Sequence, residues 1–410
     1  MLPKLLGLTR KIRISRTAIF LAVFLAIALV IKTYFLSHVT PLFFGLTFED
    51  IMLRLSYANS SPVPIPYISG FVEYPVIIGI FIWVTAILSS GTGFFILNGI
   101  LLSIASVFSV GLLERLGGLG RRELAIIFLS PTPFLFTAYN WDALAVLFTS
   151  LGIFYFSKKK FLLTSLFFAL GANTKLYPGL FLPPLFVIIY KELGVKELLK
   201  NLFGVGLISF LINIPFIIFG YEGWSVFLKF NSSRGPNIDS IWAGIWKMAL
   251  KFIDQGALLK FTNAFSLALF LIPTILILFF LFKNYLSKNY LPLFLISSSL
   301  ILFLFIFTNK VYSPPYNLWF LPFFILIPKL NLKKILAYEW ANGLVYWSVF
   351  QYFFETNILG KNVLDFPWYK LTYFFVLFRH LTILFLILEL FVIFKSALNH
   401  ENIKDPPTKI

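Results

Sequence analysis

Acids, phenols and a guanidinium gather in the string FEDIMLRLSYANSSPVPIPYISGFVEYP, which holds Glu49, Asp50, Arg54, Tyr57, Glu73 and Tyr74. An ionised carboxylate such as Asp50 can take the proton of an attacking hydroxyl, so this segment could supply a general base. The plainer alternative is a loop whose acids pair with Arg54. Further along, Lys175 and Tyr177 lie in NTKLYP, Arg234 in NSSRGPNIDS, and Lys310 and Tyr316 in NKVYSPPY. A lysine holds phosphate as a point charge and an arginine as a fork, and such cations stabilise a departing phosphate. The tyrosines could meet a sugar face or belong only to the aromatic belt of a membrane interface. Asp142, in NWD, begins an apolar run. A carboxylate there needs a cation, hydrogen bonds or an ion, or else it serves with Asn140 as a helix cap.

These residues are islands in an apolar chain. Of 410 residues, 59% are hydrophobic and 12% charged, more apolar surface than a soluble interior can hide but no more than lipid can cover. The chain therefore reads as an all-α polytopic membrane protein, and the composition argues against disorder, coiled coil and nucleic-acid binding. Without cysteine, and with only His38, His380 and His400 scattered along the chain, it has no disulfide, thiol nucleophile, Cys-ligated metal or compact imidazole site to offer. The formal charge of +17 marks loops held in the cytoplasm.

Lys4, Arg10, Lys11, Arg13 and Arg16 precede the apolar run 17–31, which predicts a cytoplasmic N-terminus and a first transmembrane helix rather than a cleaved signal peptide. Apolar stretches at 124–141, 143–157, 161–174, 176–190, 201–221, 262–282, 290–309, 316–328, 337–354 and 371–394 follow. They predict roughly eleven to thirteen crossings in all. Basic clusters at 158–160, 191–200, 283–288 and 329–334 fall between them. If those are cytoplasmic, NWD, NTKLYP, NSSRGPNIDS, NKVYSPPY and the first loop share the external face. The forty uncharged residues between Glu73 and Glu114 could form two spans, but that would carry Arg115, Arg121 and Arg122 outside. One span plus a re-entrant segment between Glu73 and Ser90 keeps the sides consistent. Residues 241–260, interrupted by Lys247, Lys251, Asp254 and Lys260, read as an external interfacial helix. The expected organisation is a single integral-membrane domain over 1–398 with a polar cytoplasmic tail at 399–410.

In this order along the chain, EDIMLRLSY with FVEYP, YNWDALAVLF, GANTKLYPGLFLPP and TNKVYSPPYNLWFLP resemble the GT-C class of membrane glycosyltransferases. The likeness is to family 87 and to the polyprenyl-phosphate-mannose mannosyltransferases, the first mannosyltransferase of GPI assembly among them. The strings cover most of residues 49–322. The resemblance implies inverting transfer of a hexose, foremost mannose, from a polyprenyl or dolichyl phosphate. The acceptor would be a hydroxyl of a lipid, glycan or protein-linked molecule on the external side of a cell membrane. It makes Asp50 the base. Lys175, Tyr177, Arg234, Lys310 and Tyr316 would hold donor phosphate or sugar, and Glu49, Arg54, Tyr57, Glu73, Tyr74 and Asp142 would face the acceptor or support the others. Two departures stand out: FVEYPV lacks the doubled proline common in the family, and SPPY replaces SPQY.

The chain shows no glycine-rich dinucleotide fingerprint, which counts against direct use of a nucleotide sugar. The clustered first-loop acids could hold a divalent cation, but adjacent Glu49 and Asp50 define no coordination shell. Many apolar spans and the intramembrane Arg379 would also suit a transporter or flippase for a lipid or lipid-linked sugar, which moves its substrate without forming a bond.

Overall fold

The computed structural model describes residues 15–37, 50–117, 119–285, 287–357 and 367–399. The described chain is helical: α1 (Arg16–Ser37), α2 (Asp50–Leu53), α3 (Leu55–Ala58), α4 (Val76–Leu88), α5 (Gly91–Gly117), α6 (Arg121–Leu129), α7 (Pro131–Phe136), α8 (Asp142–Ser157), α9 (Phe161–Ala172), α10 (Leu182–Ser233), α11 (Ile241–Ala249), α12 (Gln255–Lys283), α13 (Tyr290–Thr308), α14 (Leu321–Leu326), α15 (Leu332–Asn357) and α16 (Pro367–Leu398). Tighter 3₁₀ turns fall at Tyr177–Phe181, Ser287–Asn289 and Pro314–Phe320. The expected tail lies, from residue 400 onward, outside the described residues.

Among the described residues, six helices are long and apolar enough to cross a membrane unaided: Arg16–Phe35, Gly91–Gly117, Tyr177–Ser233, Gln255–Lys283, Tyr290–Thr308 and Lys370–Leu398. Apart from the one in α15, the other expected crossings are built from shorter pieces, and proline explains several of the breaks. Between α6 and α7, Ser130 accepts a hydrogen bond from the Thr132 amide (3.2 Å) while Pro131 takes the first helical position, where it forfeits no backbone bond. Pro178 is the second residue of the turn before α10, and Pro314 opens the one before α14. The crossing expected at 337–354 lies in α15, whose buried Glu339 is held by Ser130 (2.6 Å), Thr132 and Asn317 (3.2 Å). The bundle is organised around α13, the most fully buried of these six helices.

The segment 76–88 settles into one face. At its start the Ile77 amide donates to the Asn173 carbonyl (3.0 Å), and just beyond its end the Gly91 amide donates to Asn59 Oδ1 (2.9 Å). Both partners lie in loops on the side of the bundle where NTKLYP turns, so α4 enters and leaves on that side. Both ends of α4 are thus tied to loops that the re-entrant reading places on one side. Residues 241–260 divide into the short α11 and the first turns of α12, joined by a hydrogen bond from Trp246 Nε1 to Thr262 (2.7 Å). The span begins at Gln255 rather than at 262 because Asp254 caps it, accepting from the Ala257 amide (3.0 Å).

Helix α10 bends twice. Gly194, with φ of 80°, reverses the chain inside the basic cluster 191–200. The second bend, at Gly220, lets the backbone of the first loop lie on the helix. A Cβ at Gly223 would come within 2.1 Å of the Tyr67 carbonyl oxygen. Tyr67 is buried against Phe216, and its hydroxyl donates to the Tyr74 (2.8 Å) and Pro75 (3.0 Å) carbonyls. The glycine thus seats the loop that delivers Glu73 and Tyr74. Gly223→Ala is expected to lower stability by about 1–3 kcal/mol through overpacking against backbone that cannot yield. Thermal unfolding in detergent reads this directly, and an unchanged midpoint would mean that the loop does not rest on α10.

Candidate active site

On the face where α4 is held, a cavity of about 480 Å³ draws its walls from segments far apart in the chain. Glu73 and Tyr74 come from the first loop, Asn140 from the turn before α8, Lys175 and Tyr177 from the turn after α9, Arg234 from the end of α10, and Lys310, Tyr316 and Trp319 from the segment after α13. Seven of these are residues that the sequence singled out.

The Lys175 turn is fixed by a polar ladder. The Lys175 amide closes on Gly171 (2.8 Å), and the Asn173 side chain donates to Ser209 (3.0 Å) and accepts from Asn213 (2.6 Å). Asn213 in turn accepts from Trp224 Nε1 (2.8 Å). Lys175 Nζ is thereby set 3.1 Å from Oδ1 of Asp142, whose side chain is wholly buried. Trp319 Nε1 donates to the same oxygen (3.0 Å), while Oδ2 has no hydrogen-bond partner. The two readings of NWD divide between neighbours: Asn140 Oδ1 accepts from the Asp142 amide (3.1 Å) just ahead of the helix, whose N-cap residue is Trp141, and Asp142 is the partner of Lys175. Position in the first turn of α8 also suits a negative charge, since the amide dipoles point there.

Trp319 is the centre of a three-ring stack. Tyr177 lies on one side (4.3 Å between centroids, 9°) and Tyr316 on the other (3.9 Å, 18°). Tyr177 is buried and its hydroxyl accepts from Thr149 (3.1 Å), so it backs the stack instead of reaching outward. Tyr316, half-buried, is the ring that the stack presents. Lys175 Nζ lies 4.6 Å from the Tyr74 ring centre and 6.0 Å from that of Tyr316. Sequence reasoning did not single out Trp319. The signal was its spacing, three residues after Tyr316 in a helical turn, which brings ring onto ring.

Arg234 and Lys310 form the second charged group. Lys310 Nζ donates to the Arg234 carbonyl (2.7 Å), and the Asn237 amide donates back to the Lys310 carbonyl (3.1 Å), so the two loops clasp each other. The Arg234 guanidinium rests over Phe230 (5.1 Å), and its Nε has no hydrogen-bond partner. Burial, and secondly the positive charge of Arg234, push the Lys310 ammonium below the usual lysine range. Asp239 lies behind this pair, outside the cavity wall. Its burial outweighs the attraction of Arg379 and Arg234 and raises its carboxyl to about 6. Among the described lining residues Glu73 is the sole acid, and it is paired with Arg54 at 3.2 Å. The buried Lys310 and the half-buried Arg234, facing a cavity with so little compensating charge, are suited to an anion.

The remaining expected residues lie around this centre. Arg54 donates to the Phe71 carbonyl (3.3 Å) as well as pairing with Glu73, and Tyr57 donates to the Pro64 carbonyl, so both brace the first loop rather than line the cavity. Asp50 opens α2, and the amide of the next residue, Ile51, donates to the Tyr139 carbonyl (3.4 Å), one residue from the lining Asn140. Glu49 lies outside the described residues. Among the described residues, no three His, Asp or Glu side chains come together as metal ligands.

A model of the family described as ALG3 protein matches residues 133–360, more than half of the chain. No curated protein matches it.

Proposed function

This chain belongs to the ALG3 protein family, and from that premise we propose how its cavity works. It is a multi-pass GT-C glycosyltransferase that moves a hexose, with inversion, from a polyprenyl or dolichyl phosphate, so transport without bond formation is not its activity. In our reading the hexose is mannose and the acceptor is a lipid- or glycan-borne hydroxyl. The cavity opens on the external side, opposite the basic clusters, with the N-terminus in the cytoplasm.

The observation that carries the reading is the meeting of Arg234, Lys310 and Lys175 beside the Tyr316–Trp319 stack in one cavity. The donor phosphate sits on Arg234 and Lys310, whose charges have no carboxylate partner in the cavity wall, and the sugar lies against Tyr316. Lys175, already balanced by Asp142, orients rather than neutralises. Asp50 takes the proton of the acceptor hydroxyl as its oxygen attacks the anomeric carbon from the face opposite the phosphate. The sugar–phosphate bond breaks, and the electron pair leaves with the phosphate, where the two cations receive the growing charge. The backbone tie from Ile51 to Tyr139, beside the lining Asn140, supports a place for Asp50 at this site.

The test is purified protein in lipid with polyprenyl-phosphate mannose or glucose and defined acceptors, with donor and product followed by mass spectrometry. We expect a product that appears only with the mannosyl lipid phosphate; a product formed equally without any lipid phosphate would sink the reading. The pH dependence adds a signature. Phosphate binding requires protonated Lys310, whose pKa is lowered, so donor binding is complete at lower pH and is lost as pH rises through that lowered value. Lys310→Met should remove this alkaline rise in donor KM.

A further inference from the structure

Arg379, on α16, is completely buried yet absent from the cavity wall. A guanidinium held in such a place is costly unless its donors are used. One terminal nitrogen donates to Asn342 Oδ1 on α15 (2.7 Å). The other donates to the backbone carbonyl of Asp239 and, at 3.4 Å, to that of Tyr312. The guanidinium carbon lies 3.6 Å from the centre of the Tyr312 ring. Asn342 extends the grip by donating to the Pro314 carbonyl (2.9 Å).

The carbonyls held in this way belong to the two segments that carry the paired cations. Asp239 lies in the loop of Arg234, and Tyr312 and Pro314 lie in the loop of Lys310. Those loops also clasp each other directly, through Lys310 and Asn237. Arg234 and Lys310 repel each other, so without an anion the local electrostatics favour separation of their side chains. The grip of Arg379 comes from another side, through two helices of the bundle.

We propose that Arg379 is a positioning residue for the donor phosphate. Its fork ties the Arg234 loop and the Lys310 loop to α15 and α16, which keeps the two cations at a separation that one phosphate can bridge. The proposal rests on the reading of Arg234 and Lys310 as phosphate ligands. It also explains the residue type. A lysine would preserve the charge beside Asp239, but one ammonium cannot span Asn342 and the Asp239 carbonyl while lying flat on Tyr312.

The experiment uses the full chain in lipid, with Arg379→Lys, Arg379→Gln and Asn342→Ser beside wild type. It measures donor KM, kcat and inhibition by polyprenyl phosphate, which carries the phosphate without the sugar. Arg379→Lys and Asn342→Ser should each raise donor KM and the inhibition constant by about tenfold, with kcat at saturating donor within about threefold of wild type. Wild-type KM and inhibition constant in Arg379→Lys would overturn the proposal and leave Arg379 a charge balance for Asp239. A fall in kcat at unchanged KM would overturn it too. If the Arg379 variants do not fold, Asn342→Ser decides by the same criteria. The underlying reading fails separately: wild type would then be insensitive to polyprenyl phosphate, and Lys310→Met would leave donor KM unchanged.

Discussion

Asp50→Asn is expected to lower kcat by about 10²- to 10⁴-fold, the range that a positioned general base contributes. The amide keeps the size of the carboxylate and can still orient a hydroxyl, but it cannot accept the proton. Donor binding should survive, since the cations lie on other segments, so polyprenyl phosphate should inhibit the variant as it does wild type. Glu73→Gln is the informative comparison, because Glu73 is the acid seen in the cavity wall and is bound to Arg54. If Asp50→Asn turns over normally while Glu73→Gln does not, the base is Glu73.

Asp142→Ala should be the most damaging single change to stability, costing about 3–5 kcal/mol, because it leaves Lys175 largely buried without its anion. It also strands the indole N–H of Trp319. Replacing both members of the pair, as in Asp142→Ala with Lys175→Met, removes the orphaned charge and should recover a substantial part of the loss. Thermal unfolding of the four proteins in one detergent gives the coupling. Additive losses would show that the pair holds the fold no better than two independent contacts.

The segments that build the site were legible in the sequence because charge is so scarce there. Lys175, Arg234 and Lys310 stand at breaks between apolar runs, and in lipid such breaks can fall only at ends of helices or around a wet cavity. What the sequence concealed is pairing. Nothing in NWD or NTKLYP says that Asp142 meets Lys175, and the pairing of a first-loop acid with Arg54, which the sequence did offer, left open that the acid is Glu73, since partners across helices are set by packing rather than spacing. Trp319 was hidden in an aromatic run where nearly every ring is core. The separate crossings were blurred too, since proline and glycine divide some passes and fuse others, as in α10.

The two short helices that flank the Asp142–Lys175 pair have a further consequence. At about 1.5 Å per residue, α8 with 16 residues and α9 with 12 reach only about 24 and 18 Å, against a hydrocarbon thickness of about 30 Å. Whatever their tilt, the turns at their ends cannot both stand at the two headgroup planes. This deficit in hydrophobic length lets the polar floor of the site sink below the membrane surface, into a recess walled by longer neighbours. A polyprenyl chain anchored in the same leaflet would then bring its phosphate to the cations by sliding sideways, with little of its hydrocarbon lifted into water. The acceptor, by contrast, has to reach down.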